Sequence, residues 1–229
     1  MTATPIYIMD TDRKWVVVRI DGKIAAISTD YRLLAEISAR LASASQRTSR
    51  GSGRIFGEIK ATTVDTDYVL ELRKTLKWED LMLFGTEFQK RVWRMLWELT
   101  HGSEGDENGK EESINTERGA ADSMERPPQL ICYSDFAEIC QNRAGVLAVA
   151  HAVGLNPVSV VIPCHLIIPK ETIDKIKEIQ KKAESTIFKG DDLCIDSILS
   201  DPAIDLGEYA QGRELKRELI RHDLGGRQE

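Results

Sequence analysis

Hydrophobic and polar positions at the start of the chain predict two β-strands joined by a tight turn. Residues 6–28 are rich in β-branched side chains, and Asp21-Gly22 divides them into two runs. Asp-Gly between two such runs is typical of a two-residue β-hairpin. Residues 31–45 then repeat apolar positions at helical spacing, which predicts a helix. We therefore predict a small α/β unit over residues 1–80.

Helical spacing dominates residues 81–229. Thr86 can cap a helix whose apolar face comprises Phe88, Val92, Leu96 and Leu99. Two shorter helical patterns follow, Tyr133–Cys140 and Gly145–Val153, with a short polar link between them. Two helices joined by a tight turn form the helix-turn-helix arrangement, whose second helix usually enters a DNA groove. Most helix pairs in proteins, however, contact no DNA. The predicted fold class is α+β, with the helical unit after the α/β unit.

The C-terminal part of the chain carries three further patterns. Residues 171–189 predict an amphipathic surface helix inside an extra segment at 170–205, and residues 190–208 predict irregular structure. Leu215–His222 predict a closing helix. Because the extra segment directly follows a Cys-His pair in the sequence, it either packs on the surface or reshapes a pocket beside that pair.

Negative charge is concentrated in one stretch of the chain. The 229 residues include 31 Lys and Arg against 37 Asp and Glu, a net charge of -6. Residues 101–126 alone hold 8 acidic and 3 basic residues and no aromatic residue. This composition predicts a solvated, disordered insert. Net charge therefore provides no general attraction for nucleic acid, and any DNA binding has to come from specific contacts.

The composition also indicates the compartment. No uninterrupted apolar run approaches the ~20 residues that a membrane helix needs, and Met1–Pro5 do not begin a secretory leader. Four Cys in a chain of this length do not make a disulfide framework, which indicates a reducing compartment. We expect a cytoplasmic monomer without a membrane partner.

The strongest candidates for reactive side chains are Cys164 and His165, which follow Pro163. They stand at the end of an apolar run, 158–162, that predicts a strand. A thiolate is a strong nucleophile, and a nearby imidazole can accept the proton of the thiol. The dipeptide alone indicates catalysis only weakly, because adjacent strand residues point to opposite faces and a lone Cys is usually buried and inert. No second Cys or His stands at ligand spacing nearby, so we expect no metal and no cofactor.

The remaining His, Trp and Cys residues have simpler expectations. Trp93 and Trp97 stand at helical spacing and are expected in the core. His151 lies on an apolar helix and is expected to be a structural histidine, whereas His101 is expected in solvent at the start of the acidic insert. Buried or incidental thiols are expected at three positions: Cys132, Cys140 and Cys194.

The sequence around the Cys-His pair is more specific than the pair itself. Asn156-Pro157, the run VSVVI and then Pro163-Cys164-His165 lie downstream of GTEFQKRVW at 85–93. This combination resembles the O6-alkylguanine-DNA alkyltransferases, suicidal DNA repair proteins also called methylated-DNA–protein-cysteine methyltransferases. The resemblance covers residues 85–170 and 206–225. It implies a C-terminal domain with a winged helix-turn-helix and the active-site Cys.

The resemblance implies a role for each matching catalytic residue. Cys164 accepts the alkyl group, and His165 removes the Cys164 proton through a water. Asp223, where the family usually has Glu, orients the imidazole. Asn156 braces the turn and the active-site strand, and Tyr133 lies against the flipped base and its 3′ phosphate.

The resemblance also implies the binding residues and the partner. The substrate pocket would be walled by Tyr209, Ala210 and Pro163. The DNA-contacting positions would be Tyr133, Ser134, Leu147, Ala148 and Arg143. The partner is double-stranded DNA that contains O6-alkylguanine, and the target nucleotide has to be flipped out of the duplex because its reactive atom lies inside.

Three features depart from the family pattern. Leu147 replaces an Arg that fills the space left by the flipped base, and Leu166 replaces the Arg that follows Pro-Cys-His. The predicted second helix, Gly145–Leu155, contains no Lys or Arg, although phosphate neutralisation drives much of DNA affinity. An apolar wedge can unstack bases but forms no hydrogen bond with an orphaned cytosine.

The function predicted from the sequence is irreversible transfer of a methyl or small alkyl group from guanine O6 in DNA to Cys164. Two alternatives stay open. The first is a divergent relative that binds DNA or a protein partner without efficient transfer. The second is a thiol enzyme that acts on another small electrophile and needs no DNA affinity, which salt-dependent DNA binding would separate from the other two.

Overall fold

A computed structural model describes residues 13–29, 58–102, 129–185, 195–201 and 204–225. The helix predicted at 31–45, the acidic insert beyond residue 102 and Cys194 lie outside the described residues. The described part is α+β, as the sequence predicts.

The N-terminal unit is built on a three-stranded antiparallel sheet with the order β2-β1-β3. The strands are β1 (Trp15–Ile20), β2 (Lys23–Ser28) and β3 (Ile59–Val64). Asp21 and Gly22 both have positive φ, 50° and 81°, as a primed two-residue hairpin turn requires. The predicted hairpin is confirmed.

Helix α1 (Thr66–Thr75) follows the sheet. It begins after Asp65, because the Asp65 side chain accepts a hydrogen bond from the Tyr68 N–H and so caps the first turn. A buried hydrogen bond of 3.1 Å from Trp15 Nε1 to Thr66 Oγ1 ties the helix to β1. Its C-terminal turn carries Arg73.

Helix α2 (Glu87–His101) is capped by Thr86, as the sequence predicts, and the structure adds a reciprocal capping box with Gln89. Its buried face comprises Val92, Trp93, Leu96 and Trp97, with Phe88 and Leu99 partly buried. The prediction for His101 is wrong. This residue completes α2, stacks on Trp97 with ring centroids 3.6 Å apart and contacts the Arg73 carbonyl oxygen through Nε2 at 2.8 Å.

The predicted helix pair is present. Strand β4 (Ile131–Cys132) leads into α3 (Tyr133–Ile139), and a tight turn with a 3-10 segment (Arg143–Gly145) leads into α4 (Val146–Gly154). The inner faces of the two helices are buried, with Phe136 and Val149 fully enclosed. The prediction for His151 is wrong, because its side chain is exposed on the outer face of α4.

The run at 158–162 is not a strand. It is a compact turn in which Val160 has a φ of 72° and Ile162 N donates to Val158 O at 3.0 Å. A parallel bridge joins Ile27 of β2 to Val158. The run is apolar because it is buried on every side, and this produces the same residue pattern as a buried strand.

The C-terminal part packs around a second, smaller core. Strand β5 (Ile167–Ile168) pairs with β4 in parallel, and three helices follow: α5 (Lys170–Ser185), α6 (Ile195–Ser200) and α7 (Arg213–Gly225). The predicted helices are therefore present, while the prediction of irregular structure at 190–208 is wrong for α6. Apolar residues of all three helices meet in this core, for example Ile176, Leu199 and Ile220.

The main core joins the N-terminal sheet to the helical part. Trp15 and Ile27 of the sheet share one buried cluster with Trp93 of α2 and with Val158 and Cys164. The sheet therefore supports the turn that carries Cys164. None of the helices that the structure describes has the length and apolarity needed to span a membrane.

Candidate active site

Asn156 organises the turn that ends at Cys164. Its side chain is buried, accepts from Val158 N at 3.0 Å, and donates to Ile162 O at 2.8 Å and to the Cys164 sulfur at 3.1 Å. Pro163 sits in a tight turn in which Cys164 N donates to Ile162 O at 2.8 Å. One amide therefore holds both ends of the turn and the sulfur atom.

Cys164 lies in the wall of a cavity of about 320 Å³, a volume at the lower end of the range for small-molecule sites. Five predicted residues line this cavity: Tyr133, Asn156, Cys164, Tyr209 and Ala210. Ala150, Val153 and Gly154 of α4 form the side next to the helix-turn-helix. The structure thus brings together residues that are up to 77 positions apart in the chain (from 133 to 210).

His165 lies behind Cys164 and outside the cavity lining, fully buried. Its Nε2 is 2.8 Å from Oδ2 of Asp223 on α7. Burial raises the pKa of Asp223, but hydrogen bonds from His165 and His222 and the charge of Arg73 outweigh it and hold the pKa far below the usual range. Because this carboxylate is ionised, Nε2 carries the hydrogen and Nδ1 carries the lone pair.

The second imidazole nitrogen is free to act as a base. His165 Nδ1 is buried and makes no hydrogen bond to any residue that the structure describes. Burial lowers the pKa of His165, and the Asp223 hydrogen bond only partly opposes this. The imidazole is therefore neutral at neutral pH, the state in which it can accept a proton.

The Cys164 sulfur is a protonated thiol at rest. Burial raises its pKa, while the hydrogen bond from Asn156 and the positive charge of Lys216 act in the opposite direction. A thiol that must become a thiolate needs a nearby base and donors that stabilise the negative charge.

Lys216 is a site residue that the sequence did not reveal. It is fully buried on α7, and its Nζ donates to Ile167 O at 2.8 Å. Burial lowers its pKa to about 8, and the nearby Cys164 partly opposes this. An isolated Lys inside an ordinary amphipathic helix pattern has no feature that separates it from surface lysines. Only the packing of α7 against Cys164 shows its position.

Two tyrosines border the sulfur. Burial raises the pKa of Tyr133 and raises that of Tyr209 further, and the neighbouring Cys164 adds to both effects. Both hydroxyls are therefore protonated at neutral pH and can donate hydrogen bonds. The buried Tyr209 hydroxyl, beside Ser159 and Cys164, makes no hydrogen bond of good geometry within the described residues.

Of the predicted DNA-contacting residues, three are exposed on the outside of the helix pair, whereas Tyr133 lines the cavity. Leu147 is 87% exposed and Ala148 is also exposed. Arg143 is exposed and forms an ion pair with Glu138 at 3.0 Å. Ser134 is half-buried and contacts the Cys132 sulfur at 3.0 Å. The extra segment at 170–205 contributes no described residue to the cavity, and α5 packs on the second core.

Within the described ranges, no group of three or more His, Cys, Asp or Glu side chains is placed to hold a metal ion. The Cys164 sulfur accepts a hydrogen bond from Asn156, and the next residue, His165, contacts the Asp223 carboxylate. These contacts support thiol chemistry.

Comparisons with known proteins point to one family. Residues 126–185 match the model of the 6-O-methylguanine DNA methyltransferase, DNA binding domain. The probable methylated-DNA–protein-cysteine methyltransferase of Acanthamoeba polyphaga mimivirus is 31% identical over 91 residues, 40% of this chain and 44% of that protein. The inducible methylated-DNA–protein-cysteine methyltransferase of Bacillus subtilis is 33% identical over 86 residues, 38% of this chain and 34% of that protein. The chain spans less than half the length of these curated relatives.

Solved structures give similar matches. The O6-methylguanine-DNA methyltransferase of Pyrococcus kodakaraensis aligns with a TM-score of 0.45 and 18% identity over 92% of this chain and 91% of that chain. Mycobacterium tuberculosis OGT in complex with DNA aligns with a TM-score of 0.36 and 20% identity over 63% and 54%. The family model matches residues 126–185, and the curated relatives match over less than half of their own length, so the similarity to this family is shown for part of the chain.

Proposed function

We propose that this protein repairs DNA by irreversible transfer of a methyl or small alkyl group from guanine O6 to Cys164. The observation that carries the proposal is the Cys164 sulfur in a cavity wall, hydrogen-bonded to Asn156 and backed by the His165–Asp223 pair. The free thiol suits a reducing compartment such as the cytoplasm, and the protein would act there as a monomer.

The proposed step is an in-line displacement at the alkyl carbon. The Cys164 proton passes to Nδ1 of His165 through a bridging water, and the imidazolium is stabilised by Asp223. The sulfur–carbon bond forms as the carbon–O6 bond breaks, and the electron pair of that bond stays on guanine. A tyrosine hydroxyl, Tyr133 or Tyr209, donates a hydrogen bond to the departing oxygen, and the guanine anion then takes a proton from water, which the imidazolium replaces. The thioether is stable, so each molecule reacts once.

The geometry of α4 supports access from the DNA side. Leu147, Ala150 and Gly154 are three and four residues apart, so they share one stripe of the helix. Ala150 and Gly154 line the cavity, and Leu147 stands one turn further out. We propose that Leu147 enters the base stack as an apolar wedge while the target guanine occupies the cavity.

The proposal is tested by intact mass after incubation with a duplex oligonucleotide that contains O6-methylguanine. We expect one added methyl group on the wild type, located on the Cys164 peptide, and none on Cys164→Ala. Cys140→Ala is a matched control, because Cys140 is also buried but lies away from the cavity. A folded wild type with free thiols and no mass gain would overturn the proposal.

Leu147→Asp is expected to slow transfer from duplex DNA about tenfold or more, because a carboxylate cannot enter the base stack and repels the phosphates. Its thermal unfolding should match the wild type, since the side chain is exposed. Ile59→Asp is the control, because Ile59 is also exposed but lies on β3 of the N-terminal sheet. Single-turnover rates equal to the wild type for Leu147→Asp would contradict the wedge.

A second candidate is recognition of DNA without efficient transfer. The features that favour it are the ion pair that occupies Arg143 and the lack of Lys or Arg on α4. It predicts salt-dependent binding to duplex DNA and no methyl group on Cys164.

A further inference from the structure

A residue of the N-terminal unit contacts the catalytic pair. Arg73, in the last turn of α1, places Nη1 at 2.8 and 2.9 Å from the two carboxylate oxygens of Asp223. The side chains are 13% and 3% exposed, so the ion pair is shielded from solvent. The oxygen Oδ2 of this same carboxylate is the one that His165 contacts.

Arg73 is itself held in place. Its backbone carbonyl contacts Nε2 of His101 at 2.8 Å, and the His101 ring stacks on Trp97 in the main core. The carbonyl can only accept, so Nε2 of His101 carries the hydrogen. The end of α1 is thereby attached to the end of α2, and the guanidinium extends from this anchored point to α7.

We propose that Arg73 is a positioning residue for deprotonation of Cys164, acting through Asp223 and His165, so that the N-terminal unit completes the active site. This inference rests on the proposed function. Without Arg73, His222 at 3.1 Å would be the one contact of Asp223 Oδ1 among the described residues, and that histidine is exposed. Nη1 contacts both carboxylate oxygens within a shielded ion pair and so limits the movement of the carboxylate that meets the imidazole.

The positive charge of Arg73 has a second consequence. The charged and titratable groups around His165 are Cys164 on its own segment, Lys216, His222 and Asp223 on α7, Tyr209 before α7, and Arg73 on α1. Asp223 favours the protonated imidazole, whereas Arg73 and Lys216 oppose it. Removal of the Arg73 charge should therefore raise the pKa of His165. A base works only when it is neutral, so the rise of activity with pH should occur at higher pH.

Two variants separate charge from geometry. Arg73→Gln keeps a hydrogen-bond donor and removes the charge, whereas Arg73→Lys keeps the charge and replaces the planar guanidinium with an ammonium group. The matched control is Arg13→Gln, because Arg13 also reaches from the N-terminal unit to a carboxylate of α7, Glu218, at 3.2 Å. Glu218 makes no contact with His165 that the structure records.

The first measurement is the rate of Cys164 alkylation by iodoacetamide between about pH 5 and 8, followed on the Cys164 peptide by mass spectrometry. For Arg73→Gln we expect the rise of the alkylation rate with pH, the acidic limb of the profile, to occur about one pH unit higher than in the wild type. For Arg73→Lys and Arg13→Gln we expect that limb to remain in place. An Arg73→Gln limb that coincides with that of Arg13→Gln would overturn the inference.

The second measurement is the single-turnover rate of methyl transfer from O6-methylguanine duplex DNA across the same pH range. We expect the acidic limb of the transfer profile to lie at higher pH for Arg73→Gln, by the same amount as in the iodoacetamide profile. For Arg73→Lys and Arg13→Gln we expect it to coincide with that of the wild type. A wild type that transfers no methyl group defeats the proposed function, while the iodoacetamide profiles still decide whether Arg73 controls the thiol. A transferring wild type with an undisplaced Arg73→Gln profile defeats the inference alone.

Discussion

Asp223→Asn is expected to reduce the rate of methyl transfer to Cys164 by about a thousandfold, because a buried amide cannot fix the imidazole as the carboxylate does. The carboxylate accepts from Arg73 on both oxygens, from His165 on one and from His222 on the other. An amide has only one acceptor oxygen, so its NH₂ group must face a donor in either orientation.

The orientation of the amide decides which chemical defect follows. If the NH₂ group faces His165, the imidazole takes the tautomer with the hydrogen on Nδ1, and the nitrogen that should accept the proton is blocked. If the oxygen faces His165, the tautomer is retained but the charge that stabilises the imidazolium is lost. Either result removes the base in the transition state.

The measurement for Asp223→Asn is the single-turnover rate by intact mass, beside its free energy of unfolding in urea. The matched control is Glu218→Gln, which removes the charge of the α7 carboxylate that pairs with Arg13. We expect the control to transfer at the rate of the wild type. A rate for Asp223→Asn within tenfold of the wild type would show that the carboxylate is not part of the proton path.

Asn156→Asp is expected to have the largest effect on stability, about 3 kcal/mol at neutral pH, together with loss of transfer. Asn156 is 2% exposed and donates through one NH₂ group to Ile162 O and to the Cys164 sulfur. A carboxylate in its place would present an acceptor to an acceptor and bring a negative charge to the sulfur that must become a thiolate. The turn would lose the hydrogen bond to Ile162 O, and the Cys164 thiolate would lose the hydrogen bond that Asn156 donates to it.

The check is urea denaturation at neutral pH together with the transfer rate. Asn142→Asp is the control, because Asn142 is half-buried in the turn between α3 and α4, away from the cavity. We expect its stability to differ from the wild type by less than about 1 kcal/mol. Equal stability of Asn156→Asp and wild type would contradict the role of Asn156 as the brace of the turn.

Arg73 and Leu166 illustrate how a departure from the family pattern can mislead at the level of sequence. The Arg that follows Pro-Cys-His in the family is absent here, and Leu166 is fully buried instead. The guanidinium that contacts Asp223 comes from α1, more than 90 positions before Leu166 in the chain. A comparison of sequences at position 166 therefore shows only that an Arg is lost. The contact of Arg73 with Asp223 is seen only in the folded chain.

The sequence by itself determined the elements with local causes. The Asp21-Gly22 turn, the Thr86 cap with Gln89 and the helix-turn-helix pair depend on backbone preferences and apolar spacing that a short window contains. The Asn-Pro and Pro-Cys-His segments carried the resemblance to the alkyltransferases and drew attention to Cys164 for the same reason. These features are encoded by neighbours in the chain.

Only the tertiary structure decided the features that depend on long-range contacts. The run at 158–162 forms a turn rather than a strand because Asn156 and Ile27 supply the partners of its backbone. The burial of Lys216 and the Arg73–Asp223 ion pair depend on the packing of α1 and α7 near His165, which the sequence does not show. A periodic pattern reports that a residue is buried, but the groups that surround it are set by the packing of distant segments, and those groups determine its pKa and its chemistry.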